Sequence, residues 1–199
     1  MSEQPLIQRF HLGDLYYIRS ILVEIYIECY APGRKEKFFT REGFRGRLAD
    51  HAGPGWEAVV SYHQGVPSGY AYGCPLPSDT AWWDGVEPTP PPNVIDESGR
   101  RTFALLQLMV REDWRGTGTA RLLHDDLLKH RSEERIALLV DREHPKVRSL
   151  YERWGYTPLT QSHPYPDGPL YDVMLRSNNY RNSNYRMTSP RRRQLGPRR

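Results

Sequence analysis

The chain has 199 residues, 26% of them charged and 38% hydrophobic, a balance that fits one globular domain. No apolar run nears the roughly 20 residues that span a bilayer, and Met1–Pro5 lacks the basic and apolar regions of a secretory signal. Two cysteines, Cys29 and Cys74, are too few for a disulfide scaffold or a zinc site, so a cytoplasmic chain with no metal and no membrane contact is expected. The net charge of +4 sits at one end: residues 177–199 hold seven arginines and no acid, which leaves 21 basic and 24 acidic residues, net −3, in 1–176. A domain over 1–176 and a disordered Arg-rich tail over 177–199 are expected. A nucleic-acid partner would be reached only through that tail.

Leu6 to His11 reads as a first strand. Asp14 can cap a helix running to about Tyr30, with Leu15, Ile18, Ile21, Leu22 and Ile25 on one stripe. Thr40 to Ala49 is a shorter helix, with Phe44 and Leu48 inward. Trp56–Tyr62 and Val66–Gly73 flank the turn His63-Gln64-Gly65 as a hairpin, and Gly69 marks a bulge or a close backbone approach. Residues 74–102 form a Pro/Trp-rich excursion, with Pro90-Pro91-Pro92 and the pair Trp82-Trp83 ahead of Asp84; long loops in compact domains tend to be functional or disordered, and the tryptophans argue against disorder.

The pattern then becomes regular. Phe103–Val110 is nearly all apolar, as a buried central strand should be. Gly118–His130 is amphipathic, Ile136–Val140 is another buried strand, and Lys146–Trp154 is a helix closed by Gly155. Strands from Tyr156 and over Leu170–Leu175 complete an α/β fold with a mixed six- or seven-stranded central sheet flanked by about four helices.

Chemistry is concentrated between Val110 and Leu123. A buried strand ends, Gly116 and Gly118 allow a backbone to approach a ligand, and a helix begins whose first N–H groups have no internal partners and sit at the positive end of its dipole. A Walker A loop would need a Gly-Lys-Ser/Thr triplet, and no lysine is present; a dinucleotide fingerprint would need a small residue where Arg121 stands. Arg115, Gly118 and Ala120 instead fill the Arg/Gln-x-x-Gly-x-Gly/Ala pattern of the GNAT superfamily of N-acetyltransferases. About thirty residues later, His144 to Tyr156 resembles that family's Asn-x-x-Ala-x-x-Leu-Tyr-x-x-x-Gly-Phe segment at Leu150, Tyr151, Gly155 and Tyr156.

The resemblance covers 103–160 closely and implies an acetyl-CoA-dependent transfer to a primary amine by direct attack. On that reading the backbone of Arg115, Gly116, Thr117, Gly118, Thr119 and Ala120 holds the pyrophosphate. Leu108, Met109 and Val110 pair with the pantetheine arm, His144 stands at the family's asparagine position, and Tyr151 protonates the departing thiolate. The chain departs from the pattern on the strand before the loop, where Gln107 stands in place of the family's glutamate; a neutral amide cannot take a proton from an ammonium. Gln107 can still orient a water or the thioester carbonyl; either another acid, such as Glu57 or Asp84, supplies the base, or the amine arrives already neutral and water carries the proton away. Tyr70, Tyr72, Trp82 and Trp83 are expected to line an aromatic acceptor slot with Asp79 or Asp84 facing a cation, suited to a small-molecule or peptide amine; the alternative for the tryptophans is that they pin the long loop. Dimers are common among proteins that resemble this family. The alternative from another class is an acyl-CoA-binding, non-catalytic or interaction protein with a basic tail.

Overall fold

The computed structural model describes residues 5–30 and 36–178. Seven strands and five α-helices follow one another along them: β1 (Leu6–His11), α1 (Leu15–Tyr30), α2 (Arg41–His51), β2 (Glu57–His63), β3 (Val66–Pro75), α3 (Pro92–Ile95), β4 (Thr102–Val110), α4 (Thr119–Leu128), β5 (Arg135–Asp141), α5 (Pro145–Arg153), β6 (Thr157–Ser162) and β7 (Tyr171–Ser177). The single sheet runs β1-β2-β3-β4-β5-β7-β6. Every neighbouring pair is antiparallel except β4 and β5. The fold class matches the sequence expectation, and the one extra helix, α3, is a single turn.

Alternation along the strands divides the core between the two faces. On one face Val59, Ala71, Phe103, Leu105 and Val110 pack against Leu123 and Leu127 of α4, with Tyr151 and Tyr156 beside them. On the other, Ala58, Val60, Tyr70 and Tyr72 pack against Ile18, Leu22, Tyr26 and Phe44 of α1 and α2. Thr40 starts α2 by accepting the Gly43 N–H at 3.1 Å. Asp14 does not cap α1; it lies in the short 3₁₀ turn ahead of it and accepts the His11 N–H at 2.9 Å. Gly69 sits where a Cβ would lie 2.6 Å from the Met109 carbonyl oxygen, the close approach its sequence position announces.

The 74–102 excursion folds over the β5-β7-β6 half of the sheet. Trp83 and Val86 bury themselves against Val173, and the Trp83 indole N–H donates to Glu97 Oε1 at 3.2 Å. Trp83 therefore pins the loop. At the far end β7 continues through Ser177, and the Asn178 amide donates to the carbonyls of Arg131 and Glu133 at 3.0 Å. The fold thus extends two residues past the boundary expected at 176, and the rest of the Arg-rich tail lies outside the described residues.

Candidate active site

The site begins with an irregularity in β4. Tyr72 pairs with Gln107 but Gly73 pairs with Leu105, so Leu106 is an extra residue opposite β3. Before this bulge Phe103 and Leu105 face α4; after it Gln107 and Met109 face α1 and α2. The bulge therefore aims Gln107 into the space beside α1. The β4–β5 pairing also stops here, its last partners being Leu105 and Leu138. Beyond that point the two strands diverge and leave a cleft. The Arg111 N–H donates to Ser68 O at 2.9 Å, and the alternation of an antiparallel ladder turns the N–H groups of Leu108 and Val110 away from β3, toward the cleft.

After β4 the chain makes a 3₁₀ turn over Glu112–Trp114 and then reverses through Gly116 (φ 76°) and Gly118 (φ 91°). A side chain at either left-handed position would be strained. The Arg115 guanidinium folds back and donates to Val110 O at 3.1 Å, tying the loop to the end of β4. The Thr117 hydroxyl donates to Trp114 O at 2.6 Å and lies 2.8 Å from the Thr119 hydroxyl. Gly118 provides no side-chain cap to α4, and the first backbone bond of the helix is Leu122 N–H to Gly118 O. The N–H groups of Thr119, Ala120 and Arg121 thus lack helical acceptors at the dipole's positive end, the arrangement that holds phosphate oxygens.

Between the diverging strands and α1, α2 and α5 lies a cavity of about 130 Å³. Gln107, Leu108 and Met109 of β4, Asp141 of β5, Tyr171 of β7 and His144 and Tyr151 of the α5 segment line it, together with Tyr26, Tyr30, Phe38, Arg47 and His51 from the α1–α2 region and Trp82 and Tyr165 from loops. Asp141 is 4% exposed. One carboxylate oxygen accepts the Glu143 N–H at 2.9 Å, while the other has no hydrogen-bond partner among the described residues and stands 3.6 Å from His144 Nε2. Gln107 Oε1 and the Trp82 indole N–H are likewise buried and unpartnered among them. Unmet polar atoms on a shared cavity wall carry a desolvation cost that a ligand can repay.

His51 bridges two phenols, Tyr72 at 3.1 Å and Tyr165 at 3.3 Å. Burial, reinforced by the positive charge of Arg47, pushes its pKa down to about 4, so it is neutral at pH 7. Burial pushes the Tyr151 phenol well above its ordinary value, so it stays protonated at pH 7. Burial likewise raises both thiols, Cys74 to about 11, which keeps them in the less nucleophilic protonated form.

Residues 94–169 match the model of the acetyltransferase (GNAT) domain. Among solved structures, the ribosomal-protein-S18-alanine N-acetyltransferase of Escherichia coli superposes with a TM-score of 0.58 at 15% identity, over 88% of this chain and 94% of that one. The chain has the GNAT acetyltransferase fold. An N-acetyltransferase from Thermoplasma acidophilum in complex with coenzyme A gives 0.54 at 12% identity, over 88% and 99%. A spermidine N-acetyltransferase chimera drawn in part from Vibrio cholerae gives 0.57 at 16%, over 90% and 99%. Comparison with the curated proteins by sequence returns no match.

The GNAT fold brings the expected residues together unevenly. Gln107, Leu108, Met109, His144, Tyr151 and Trp82 share the cavity, and Val110 through Ala120 form the adjoining loop. Pro145 occupies the first turn of α5, where its missing N–H is harmless, so it does not disturb the helix start. Glu57 lies elsewhere: it faces the α4 side of the sheet, where Arg9 at 2.6 Å and Arg131 at 3.0 Å hold it. Asp84 and Asp79 are solvent-exposed on the outside of the excursion, away from the cavity. Tyr70 and Tyr72 are core residues, Tyr72 reaching the cavity wall only through His51. Sequence reasoning missed Arg47, His51, Asp141 and Tyr165. Arg47 and His51 follow Phe44 at spacings of three and seven and so share the buried stripe of α2; Asp141 ends the apolar run of β5.

Proposed function

We propose that this chain transfers an acetyl group from acetyl-CoA to a primary amine. The observation that carries the reading is one cavity that joins the open edge of β4, the Tyr151 phenol and the Asp141 oxygen that accepts no hydrogen bond among the described residues, next to the N–H groups of α4 that lack helical acceptors. The donor set fits the coenzyme: helix-start N–H groups suit a pyrophosphate, and the N–H groups of Leu108 and Val110 suit an amide-bearing arm laid along β4 as an added strand. Bound acetyl-CoA supplies an activated acyl carbon and a thiol leaving group.

The residues of the chain do the rest. Asp141 takes the proton that the amine loses, the role expected of Glu57 or Asp84. Gln107 Oε1 accepts an N–H from the amine and orients it without taking its proton. Tyr151, held protonated, gives its proton to the departing sulfur. Trp82, Tyr165 and Tyr171 exclude water from the reacting end. A cavity of this volume accommodates a benzene-sized body, so the rest of an acceptor lies outside it.

The experiment adds acetyl-CoA and a panel of amines to the purified protein and follows thiol release, with calorimetry in parallel. Amine-dependent release with binding supports the enzyme. Binding with no release across the panel replaces it with the acyl-CoA-binding alternative.

A further inference from the structure

We propose that the acceptor carries a negatively charged group, of carboxylate size, in addition to its amine, and that Arg47 binds it; this rests on the acetyl-transfer reading of the same cavity. Arg47 is only 7% exposed. Its guanidinium lies 3.7 Å from the centre of the Phe38 ring and is surrounded by Tyr26, Phe44 and Tyr165. Its one hydrogen bond among the described residues goes to the Tyr26 hydroxyl, at 2.8 Å.

Other half-buried arginines of the fold have acids to sit on: Arg9 and Arg131 on Glu57, Arg135 on Glu97. No carboxylate oxygen of the described residues lies within 4.0 Å of the Arg47 guanidinium; Asp50 stands one turn on along α2 and Asp141 lines the same cavity. Arg176, which also has none within that distance, lies against Trp154 and Tyr156, outside this cavity. Among the described residues, aromatic faces and one phenol leave the Arg47 fork of five donors without a carboxylate in direct contact. That fork matches a carboxylate in two parallel bonds.

The remaining polarity of the cavity is arranged to suit. Donor and positive charge stand on the α2 side at Arg47. Neighbouring His51 is neutral and Tyr165 is a phenol, so neither supplies a counter-charge. The unpartnered acceptors, Gln107 Oε1 and Asp141 Oδ2, stand on the β4–β5 side. A molecule with an amine at one end and an anion at the other satisfies both. A polyamine would place positive charge against Arg47 and is disfavoured.

The test compares matched amines in the thiol-release assay: phenylalanine against phenethylamine, γ-aminobutyrate against butylamine, and spermidine as the polycation. The wild type should favour the carboxylate member of a pair by about tenfold or more in kcat/KM, the size of a charged hydrogen bond, with spermidine poorest. Arg47→Gln should bring the ratio to about one while coenzyme A binding, followed by calorimetry, stays unchanged; Arg47→Lys should retain part of the preference. Equal or better rates for the plain amines in the wild type, or a preference that survives Arg47→Gln, overturn the proposal. Titration of phenylacetate into the coenzyme A-saturated protein separates the two readings. If no amine reacts but phenylacetate binds the wild type and not Arg47→Gln, the anion site stands and acetyl transfer falls. If phenylacetate binds neither, the anion site falls. Should Arg47→Gln fail to fold, the wild-type pairs and the wild-type titration decide.

Discussion

Replacing Asp141 by Asn tests the assignment of the base with little structural disturbance. The side chain is 4% exposed and makes one hydrogen bond, from the Glu143 N–H to Oδ1. Asparagine has the same shape and keeps that bond through its carbonyl oxygen, so the fold should lose about 1 kcal/mol, the difference between a charged and a neutral acceptor. Removing a general base costs about 10²- to 10⁴-fold in rate, or roughly 2.7–5.5 kcal/mol in the barrier. A primary amine has a pKa near 10, so only about one molecule in a thousand is neutral at pH 7. The variant depends on that fraction, and its rate should climb about tenfold per pH unit where the wild type is flatter. The assay is thiol release from pH 6.5 to 9.5, with coenzyme A binding as the control. A fall in kcat/KM of under about threefold at pH 7.5, or identical pH profiles, would refute the role of Asp141.

Tyr151→Phe preserves the apolar packing against Trp154 and Tyr156 and should lower kcat about a hundredfold with little change in coenzyme affinity; an unchanged kcat removes Tyr151 as the acid. Gly118→Val places a Cβ in open space but at φ 91°, so strain of roughly 1–2 kcal/mol should lower Tm by a few degrees while coenzyme binding weakens about tenfold or more; full affinity would mean the loop does not contact the coenzyme. Glu57→Gln should cost about 1–3 kcal/mol by weakening the Arg9 and Arg131 pairs and leave kcat/KM within about twofold, read from urea unfolding and thiol release. His51 has a folded pKa of about 4 against an ordinary 6.5, so between these values the unfolded chain binds more protons. Stability is then full above pH 6.5 and is lost as pH falls toward 4, by up to about 3 kcal/mol. His51→Gln should flatten that slope in urea unfolding between pH 7.5 and 5, and parallel slopes would contradict it.

The local backbone of the loop was legible in the sequence. The loop from Arg115 to Ala120 announces itself because left-handed backbone demands glycine and a helix start demands small residues. Tyr151 and His144 stand out only through the resemblance of residues 144–156 to the GNAT segment; by spacing alone Tyr151 is one more aromatic on a buried helix stripe. The carboxylate and the polar groups that line the cavity were not legible, because their placement depends on how distant elements meet. The bulge at Leu106 that turns Gln107 into the cavity arises only from pairing with β3. Glu57 reads as a free acid until Arg9 and Arg131 arrive from β1 and the segment after α4. Arg47 looks like a surface charge on a short helix, and only the rings of Tyr26, Phe38 and Tyr165, from three other parts of the chain, show it to be enclosed.

The central claim is that this cavity and loop bind acetyl-CoA and pass its acyl group to an amine. Titrating acetyl-CoA into the full chain by calorimetry, with thiol release followed in the same sample after an amine is added, tests it most directly. The account predicts saturable binding in the micromolar range, weakened by Gly118→Val, and release of thiol only when an amine is present. No heat of binding at any reachable concentration would contradict it, because the N–H groups at the start of α4 would then hold no pyrophosphate.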